Sequence, residues 1–286
     1  MADNKIIIAS DSTTDLGNEL ICKYDIKILP LNVTLGDKTF RDGVDITPDQ
    51  IYDYHSKTGV LPKTSAINAS EFIDFFKQYT DQGYTVIMFV ISSGMSGTFQ
   101  NANIAASELE NVFVVDTQNL STGGGHLVLK AAELREQGKS AEEIVNVCNE
   151  YKEYIDASFV IDNLEYLHKG GRCSAVAALG ANLLKLKPLI QVKDAKMGVA
   201  KKYRGNYSVV LKEYVKDKLA DGDDIILDHV FVTHAGCDME IVNDVVAAVK
   251  QTLPFKNVYI TRASCTISSH CGRNTLGVLF VRKTKV

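Results

Sequence analysis

Apolar and polar positions along this chain follow two patterns, which meet near residue 157. In the first half, Thr85-Val86-Ile87-Met88-Phe89-Val90-Ile91 is an almost unbroken apolar run. Such a run predicts a strand covered on both faces, as in a parallel sheet. Lys5-Ile6-Ile7-Ile8-Ala9 and Val112-Phe113-Val114-Val115-Asp116 predict two more strands of this kind. Between them the period changes. Phe72, Phe75, Phe76 and Tyr79 stand at i, i+3, i+4 and i+7, one face of a helix, and Asn68 with Glu71 supplies its cap. Ser140 and Glu143 form a capping-box pattern ahead of a second stripe, Ile144, Val147, Cys148 and Tyr151. Strands alternating with helices predict an α/β unit, a doubly wound, Rossmann-like parallel sheet.

The second half has shorter, partly alternating strand patterns. These are Phe159–Ile161, Leu189–Val192, Val199–Tyr203, Val230–Val232, Val258–Ile260 and Val278–Val281, with helical stretches around Ser208–Leu219 and Met239–Val249. This predicts an α+β domain with a mixed or antiparallel sheet. The expected division is therefore 1–157 and 158–286, with no Pro-, Gly- or Ser-rich linker between the halves. No internal repeat or low-complexity tract is present.

Two hydroxyl-rich turns are the chemical features of interest. Ser92-Ser93-Gly94-Met95-Ser96-Gly97-Thr98 follows the buried strand and leads into a helix. A strand, a glycine-rich turn and a helix N-terminus together suit an anion, because the first helical amides lack partners. Three readings stay open: a site for a carboxylate or phosphate, a turn that only caps its helix, and a nucleophilic serine. For the last, Gly94-Met95-Ser96-Gly97-Thr98 approaches the G-x-S-x-G elbow but has Thr98 at the final glycine position. Nothing in the sequence ties Ser96 to a base among His126, His234 and His270. Pro62-Lys63-Thr64-Ser65 places a second hydroxyl in an expected loop before the capped helix. Lys169-Gly170-Gly171-Arg172 and Lys202-Tyr203-Arg204-Gly205 each combine flexible backbone with a cation, as a solvated turn or an exposed docking point would. His270 sits in Ser268-Ser269-His270-Cys271-Gly272, where a hydrogen-bonded loop histidine is equally expected.

Composition narrows the classes. The 286 residues suffice for two modest domains, and 31 Lys+Arg against 35 Asp+Glu leave a formal charge of −4. That balance disfavours a general nucleic-acid binder. No apolar run reaches the roughly 20 residues needed to cross a bilayer. Met1-Ala2-Asp3-Asn4 runs directly into the first strand without the layout of a signal peptide, so a cytoplasmic protein is expected. The six cysteines contain no C-x-x-C pair and are expected to be reduced thiols; Cys265, His270 and Cys271 lack zinc-ligand spacing. A haloacid-dehalogenase phosphatase needs Asp-x-Asp after the first strand, whereas Asp11-Ser12-Thr13 lacks the second carboxylate. Neither Gly94–Thr98 nor Gly123-Gly124-Gly125 completes a P-loop.

Taken in order, several short motifs resemble the DegV family, whose members resemble the fatty-acid-binding subunit of bacterial fatty acid kinase. They are Asp11-Ser12-Thr13-Thr14-Asp15-Leu16, Leu29-Pro30-Leu31-Asn32-Val33, Asp42-Gly43-Val44-Asp45-Ile46, Pro62-Lys63-Thr64-Ser65, the Ser92–Thr98 turn and Lys169-Gly170-Gly171-Arg172. The resemblance spans nearly the whole chain. It implies a lipid tunnel between two domains, holding a long-chain fatty acid and no cofactor. The carboxylate would be gripped by Thr64, Ser96 and His270, with Ser93, Gly97 and Thr98 supporting the turn. Arg172 and Arg204 would face an ATP-dependent kinase subunit, which phosphorylates the presented carboxylate for phospholipid synthesis, with at most transient membrane contact. Family members commonly follow this histidine with a Gly-Pro-Gly-like run, where this chain has Cys271-Gly272-Arg273-Asn274. The alternative left by the residues themselves is a hydrolase or acyl transferase built on Ser96 and His270.

Overall fold

The computed structural model describes residues 5–177 and 186–286; the Met1–Asn4 stretch, expected to carry no export signal, lies outside them. The chain opens with β1 (Ile6–Asp11), α1 (Asn18–Lys23) and β2 (Lys27–Leu29). A small antiparallel unit follows. β3 (Asn32–Leu35) and β4 (Lys38–Arg41) form a hairpin, and after α2 (Pro48–Thr58) the short β5 (Lys63–Ser65) returns to pair with β3. Then come α3 (Ala69–Thr80), β6 (Thr85–Val90), α4 (Thr98–Ala106), β7 (Val112–Asp116), α5 (Ser121–Glu136) and α6 (Ala141–Tyr151). Strands β2-β1-β6-β7 form an all-parallel sheet, as the apolar runs predict.

The expected caps are both present. Asn68 accepts the Glu71 amide while the Glu71 carboxylate accepts the Asn68 amide, and Ser140 with Glu143 does the same at α6. Phe72, Phe75 and Phe76 are buried against the parallel sheet. In α6 the buried stripe is narrower than expected. Ile144 and Cys148 are fully buried, but Val147 lies at the margin and is 37% exposed.

The second half comprises β8 (Ile155–Asp156), β9 (Ser158–Ile161), α7 (Glu165–Gly170), α8 (Ser174–Ala177), β10 (Leu186–Lys193), β11 (Lys196–Arg204) and α9 (Tyr207–Lys218). It ends with β12 (Ile225–Ala235), α10 (Met239–Thr252), β13 (Asn257–Arg262), α11 (Cys265–Cys271) and β14 (Thr275–Arg282). Its sheet runs β11-β10-β9-β14-β12-β13, with β8 also paired to β14. Every pair is antiparallel except β12–β13, giving the expected mixed sheet.

Helix α5 joins the halves. It lies between the parallel sheet and the mixed sheet, and one continuous core cluster contains Ile8 and Phe89 from the first and Phe231 and Leu279 from the second. Its glycines follow from that confinement. A methyl on Gly123 would stand 2.1 Å from Asn119 Oδ1, and one on Gly125 would stand 2.9 Å from Leu16 and 3.0 Å from the Thr14 carbonyl. His126 fixes the far side of the helix, donating from Nε2 to the Leu279 carbonyl (3.1 Å) and contacting His229 Nε2 through Nδ1 (2.9 Å). Among the described residues, no helix is long and apolar enough to cross a membrane.

Candidate functional site

Buried strand β6 delivers its turn to the seam between the sheets. Most of the turn's amides are engaged within the fold. Ser93 N–H donates to Asp116 Oδ1, Gly94 N–H to Ser92 Oγ, Met95 and Ser96 N–H to the Ser92 carbonyl, and Thr98 N–H to Ser96 Oγ. The anion-binding capacity expected of the turn backbone therefore passes to its side-chain hydroxyls. Ser96 Oγ is half-buried and lies 2.8 Å from Thr98 Oγ1. Opposite the turn stands the β10–β11 hairpin, whose central residues Asp194 and Ala195 both have positive φ, 49° and 62°. That is the backbone of a tight two-residue hairpin. Ser92 Oγ donates to the Ala195 carbonyl at 2.7 Å, and a methyl on Gly94 would stand 2.3 Å from the same oxygen. Gly94 is thus required by the close approach of the mixed sheet.

His270 belongs to short helix α11, not to a loop, and Thr64 belongs to strand β5, also expected as a loop. The two meet across the chain, Thr64 Oγ1 standing 2.7 Å from His270 Nε2. His270 Nδ1 is buried, without a hydrogen-bond partner among the described residues. Burial, helped by the nearby Arg172 charge, pushes His270 down to about 4, so the imidazole is neutral at pH 7. The Lys169–Arg172 motif now has a structural reason. A methyl on Gly170 would stand 2.7 Å from His270 Nδ1, Gly171 adopts φ 69° at the end of α7, and Arg172 Nη1 donates back to the Gly170 carbonyl at 2.7 Å. After the histidine, Gly272 takes φ 75°, and a methyl there would stand 2.8 Å from the Tyr166 ring. The Cys271-Gly272 sequence therefore holds α11 tightly against α7.

These elements line a narrow cavity that opens to solvent. Its polar end is formed by Thr64, Ser96, Arg172 and His270, and its walls by Leu31, Ile91, Met95, Leu120, Met197 and Ile267. Leu120, Ile267 and Cys271 also line a second, narrow and mainly apolar chamber, which continues between the sheets past Ala157, Phe159, Ala235, Ala263 and Leu279 and also meets Ser121, Thr233, His234 and Thr275. On the opposite side, Thr64, Arg172 and His270 face an outer vestibule with Lys63, Lys169 and the apolar lip Val60-Leu61-Pro62. The space thus has a mainly apolar interior and its charged and imidazole groups clustered at the mouth, with His234 as a further imidazole in the deeper lining.

The structure brings together Thr64, Ser96, His270 and Arg172, with Ser93, Gly97 and Thr98 in the same turn as Ser96, while Arg204 stands apart. Arg204 lies seven residues beyond Met197 on β11, a strand distance of about 23 Å. Beside it Tyr203 is buried and donates to Asp217, while Arg204 itself is exposed. Ser93 points to solvent, Thr98 supports Ser96 from behind, and Gly97 caps α4. Among the described residues Ser96 and His270 share no hydrogen bond: the serine pairs with Thr98 and the imidazole with Thr64. The serine-to-base contact that a nucleophile needs is not formed. Sequence reasoning missed Asp15 and Asp42 as site elements, although both lie in motifs it singled out; they bind the amides that begin α11. No group of three or more His, Cys, Asp or Glu is disposed to hold a metal ion among the described residues.

Comparison with known proteins agrees with this geometry. The DegV family model matches residues 5–283. A DegV domain-containing protein of Clostridium acetobutylicum is 36% identical over 285 residues, covering 98% of this chain and 99% of the relative. A fatty-acid-binding DegV family protein of Thermus thermophilus superposes with a TM-score of 0.86 at 29% identity, covering 97% of this chain and 99% of its own. A stearic-acid-binding protein of Eubacterium ventriosum superposes with a TM-score of 0.82, also at 29% identity, covering 98% of each chain. With its motifs, its two sheets and its whole length matched, the chain belongs to the DegV family.

Proposed function

We propose that this protein binds a long-chain fatty acid in the cavity between its two sheets, with the carboxylate at Thr64, Ser96 and His270. The observation that carries the proposal is the uneven polarity of that space: hydroxyls, an imidazole and Arg172 at the mouth, and mainly apolar walls behind them, with Ser121, Thr233, His234 and Thr275 as the polar members of the deeper lining. The fatty acids held by the Thermus thermophilus and Eubacterium ventriosum proteins support the same reading. In this reading residues 1–157 and 158–286 act as two domains closing on the lipid.

Magnitudes give tail and head different tasks. Burying an acyl chain yields about 0.8 kcal/mol per methylene, so roughly fourteen methylenes give about 11 kcal/mol gross. Association costs about 4–15 kcal/mol, which leaves affinity governed by the tail. Charge-assisted hydrogen bonds contribute about 1.5–3 kcal/mol each and offset the desolvation of the carboxylate. The head group therefore fixes which end faces the mouth.

A carboxylate held at a cationic mouth is accessible to a second protein. We propose that the protein acts in the cytoplasm as a carrier and that an ATP-dependent kinase subunit docks there, near Arg172, to form the acyl phosphate that feeds phospholipid synthesis. Lys63 and Arg172, with Lys169 beside them paired to Glu165 at 2.8 Å, line this vestibule on a chain of net charge −4, which suits an acidic docking face. The direct test is organic extraction and mass spectrometry of the purified protein. A stoichiometric long-chain fatty acid is expected, and Thr64→Ala together with Ser96→Ala should strip most of it. A protein that purifies empty and takes up no added oleic acid would end this reading. For the partner, Arg172→Ala should reduce acyl-phosphate formation with the kinase far more than it reduces lipid affinity. Equal losses in both would remove the docking role.

A further inference from the structure

Helix α11 carries His270, yet it has only seven residues. A helix of fewer than two turns does not hold itself in place; what binds its ends decides where it sits. At its start, three successive amides meet carboxylate oxygens from the other end of the chain. Asp15 Oδ1 accepts the Ser264 amide at 2.8 Å, Asp42 Oδ1 accepts the Cys265 amide at 2.7 Å, and Asp42 Oδ2 accepts the Thr266 amide at 2.9 Å. These are helix-start donors with no intrahelical acceptor, at the positive end of the helix dipole. Both carboxylates are buried, and each is held from behind: Ser121 donates to Asp15 Oδ2, and Ser12 donates to Asp42 Oδ2 at 3.0 Å. Ser12 Oγ in turn accepts the Leu31 amide at 3.1 Å, and Leu31 is a wall residue of the cavity.

At the other end of α11, His270 meets Thr64 and packs against Gly170, while Gly272 abuts Tyr166. The imidazole is therefore located by two anchors. One is the hydroxyl of the candidate head-group site, and the other is the aspartate pair at the helix start. Asp42 is not a wall residue of the cavity, so it reaches the ligand through α11 and, by way of Ser12, through the wall residue Leu31.

We propose that Asp42, seconded by Asp15, is a positioning residue for the head-group site: it pins the start of α11 so that His270 stays paired with Thr64 and aimed at the bound carboxylate. The proposal rests on the reading of that site as a carboxylate site. It gives the Asp11–Leu16 and Asp42–Ile46 motifs a common task, which is to fasten the C-terminal histidine helix to the N-terminal half.

The test uses the full chain as wild type, Asp42→Asn, His270→Gln, the double variant and the milder Ser12→Ala. Each is titrated with oleic acid and with oleyl alcohol, which shares the tail but has no carboxylate. Imidazole nitrogen resonances are recorded for the lipid-free proteins. Asp42→Asn keeps the side-chain shape but replaces one acceptor with a donor. It should weaken oleic acid binding by about tenfold or more, the loss of one charge-assisted contact, and leave oleyl alcohol within about twofold. The His270 nitrogen resonances should shift, and the double variant should bind oleic acid no more weakly than His270→Gln alone. Ser12→Ala should move every readout the same way by a smaller factor, so the test survives if Asp42→Asn does not fold. Equal loss for acid and alcohol, or unmoved His270 resonances, would overturn the positioning role. If His270→Gln leaves oleic acid affinity intact, the carboxylate reading fails, and the lipid-free resonances still decide whether Asp42 positions the ring.

Discussion

His270 shows how much a single side chain's surroundings determine its chemistry. An exposed histidine titrates near 6.5, but burial and the Arg172 charge push this one down to about 4. A carboxylate placed beside the ring would reverse that balance, because an opposite charge favours the imidazolium. The sign can be worked through for both states. In the empty protein a lowered histidine contributes stability that is present above 6.5 and lost as pH falls from there towards 4. In the complex the raised value means that binding takes up a proton in the same window, so affinity for the carboxylate rises as the empty protein weakens. Calorimetry at pH 5.5, repeated in buffers of different ionisation enthalpy, should detect this uptake in the wild type and not in His270→Gln. Identical proton counts in the two proteins would place the imidazole away from the head group. The sequence could identify His270 and Thr64 only by resemblance. Their contact joins residues 206 positions apart, on elements too short for any periodic pattern.

Among the elements, legibility followed exposure to two unlike environments. Helices α3 and α6 lie on a surface, so a stripe of apolar positions and a capping box made them readable, with only Val147 misassigned. Residues 121–129 of helix α5 are buried on every side, and only its last turns carry charged positions, Lys130, Glu133, Arg135 and Glu136, to contrast with an apolar face. Its Ser121-Thr122-Gly123-Gly124-Gly125 start resembles a flexible loop, and periodicity has nothing to report. Strand β5 and helix α11 failed for the opposite reason, having three and seven residues. The glycines of α5 yield a prediction whose sign opposes helix propensity. In an exposed helix, Gly→Ala stabilises by about 1 kcal/mol. At Gly125 the added methyl would stand 2.9 Å from Leu16 and 3.0 Å from the Thr14 carbonyl, and that carbonyl cannot swing aside as a flexible side chain could. Gly125→Ala should therefore destabilise by about 1–3 kcal/mol, the usual cost of overpacking. Urea denaturation measures it, and a gain in stability would mean that α5 is held less tightly than its contacts imply.

At the scale of the whole molecule, the division into a parallel and a mixed sheet was readable because each half kept its own hydrophobic rhythm. The space between the halves was not, since its walls come from the turn after β6, the start of α5, and β5, β9, β11, β12, α11 and β14 at once. Small residues keep that space open. Ala157, Ala235 and Ala263 line the distal chamber, where larger side chains would close the sheets on each other. If a lipid tail occupies the chamber, its volume sets how much chain can be buried, and one substitution should shorten the accepted tail. Ala263→Leu projects three further carbons into this space from the loop between β13 and α11. Displacing about four terminal methylenes forfeits about 3 kcal/mol, on the order of a hundredfold in affinity. Stearic acid should lose by that order, whereas lauric acid, which ends short of the chamber, should bind as it does to the wild type. Thermal melting of the lipid-free variant separates this split from overpacking, which would lower the melting temperature and weaken both acids alike. Competition binding with the two acids measures the split directly, and parallel losses for both at an unchanged melting temperature would show that the tail takes another route through the protein.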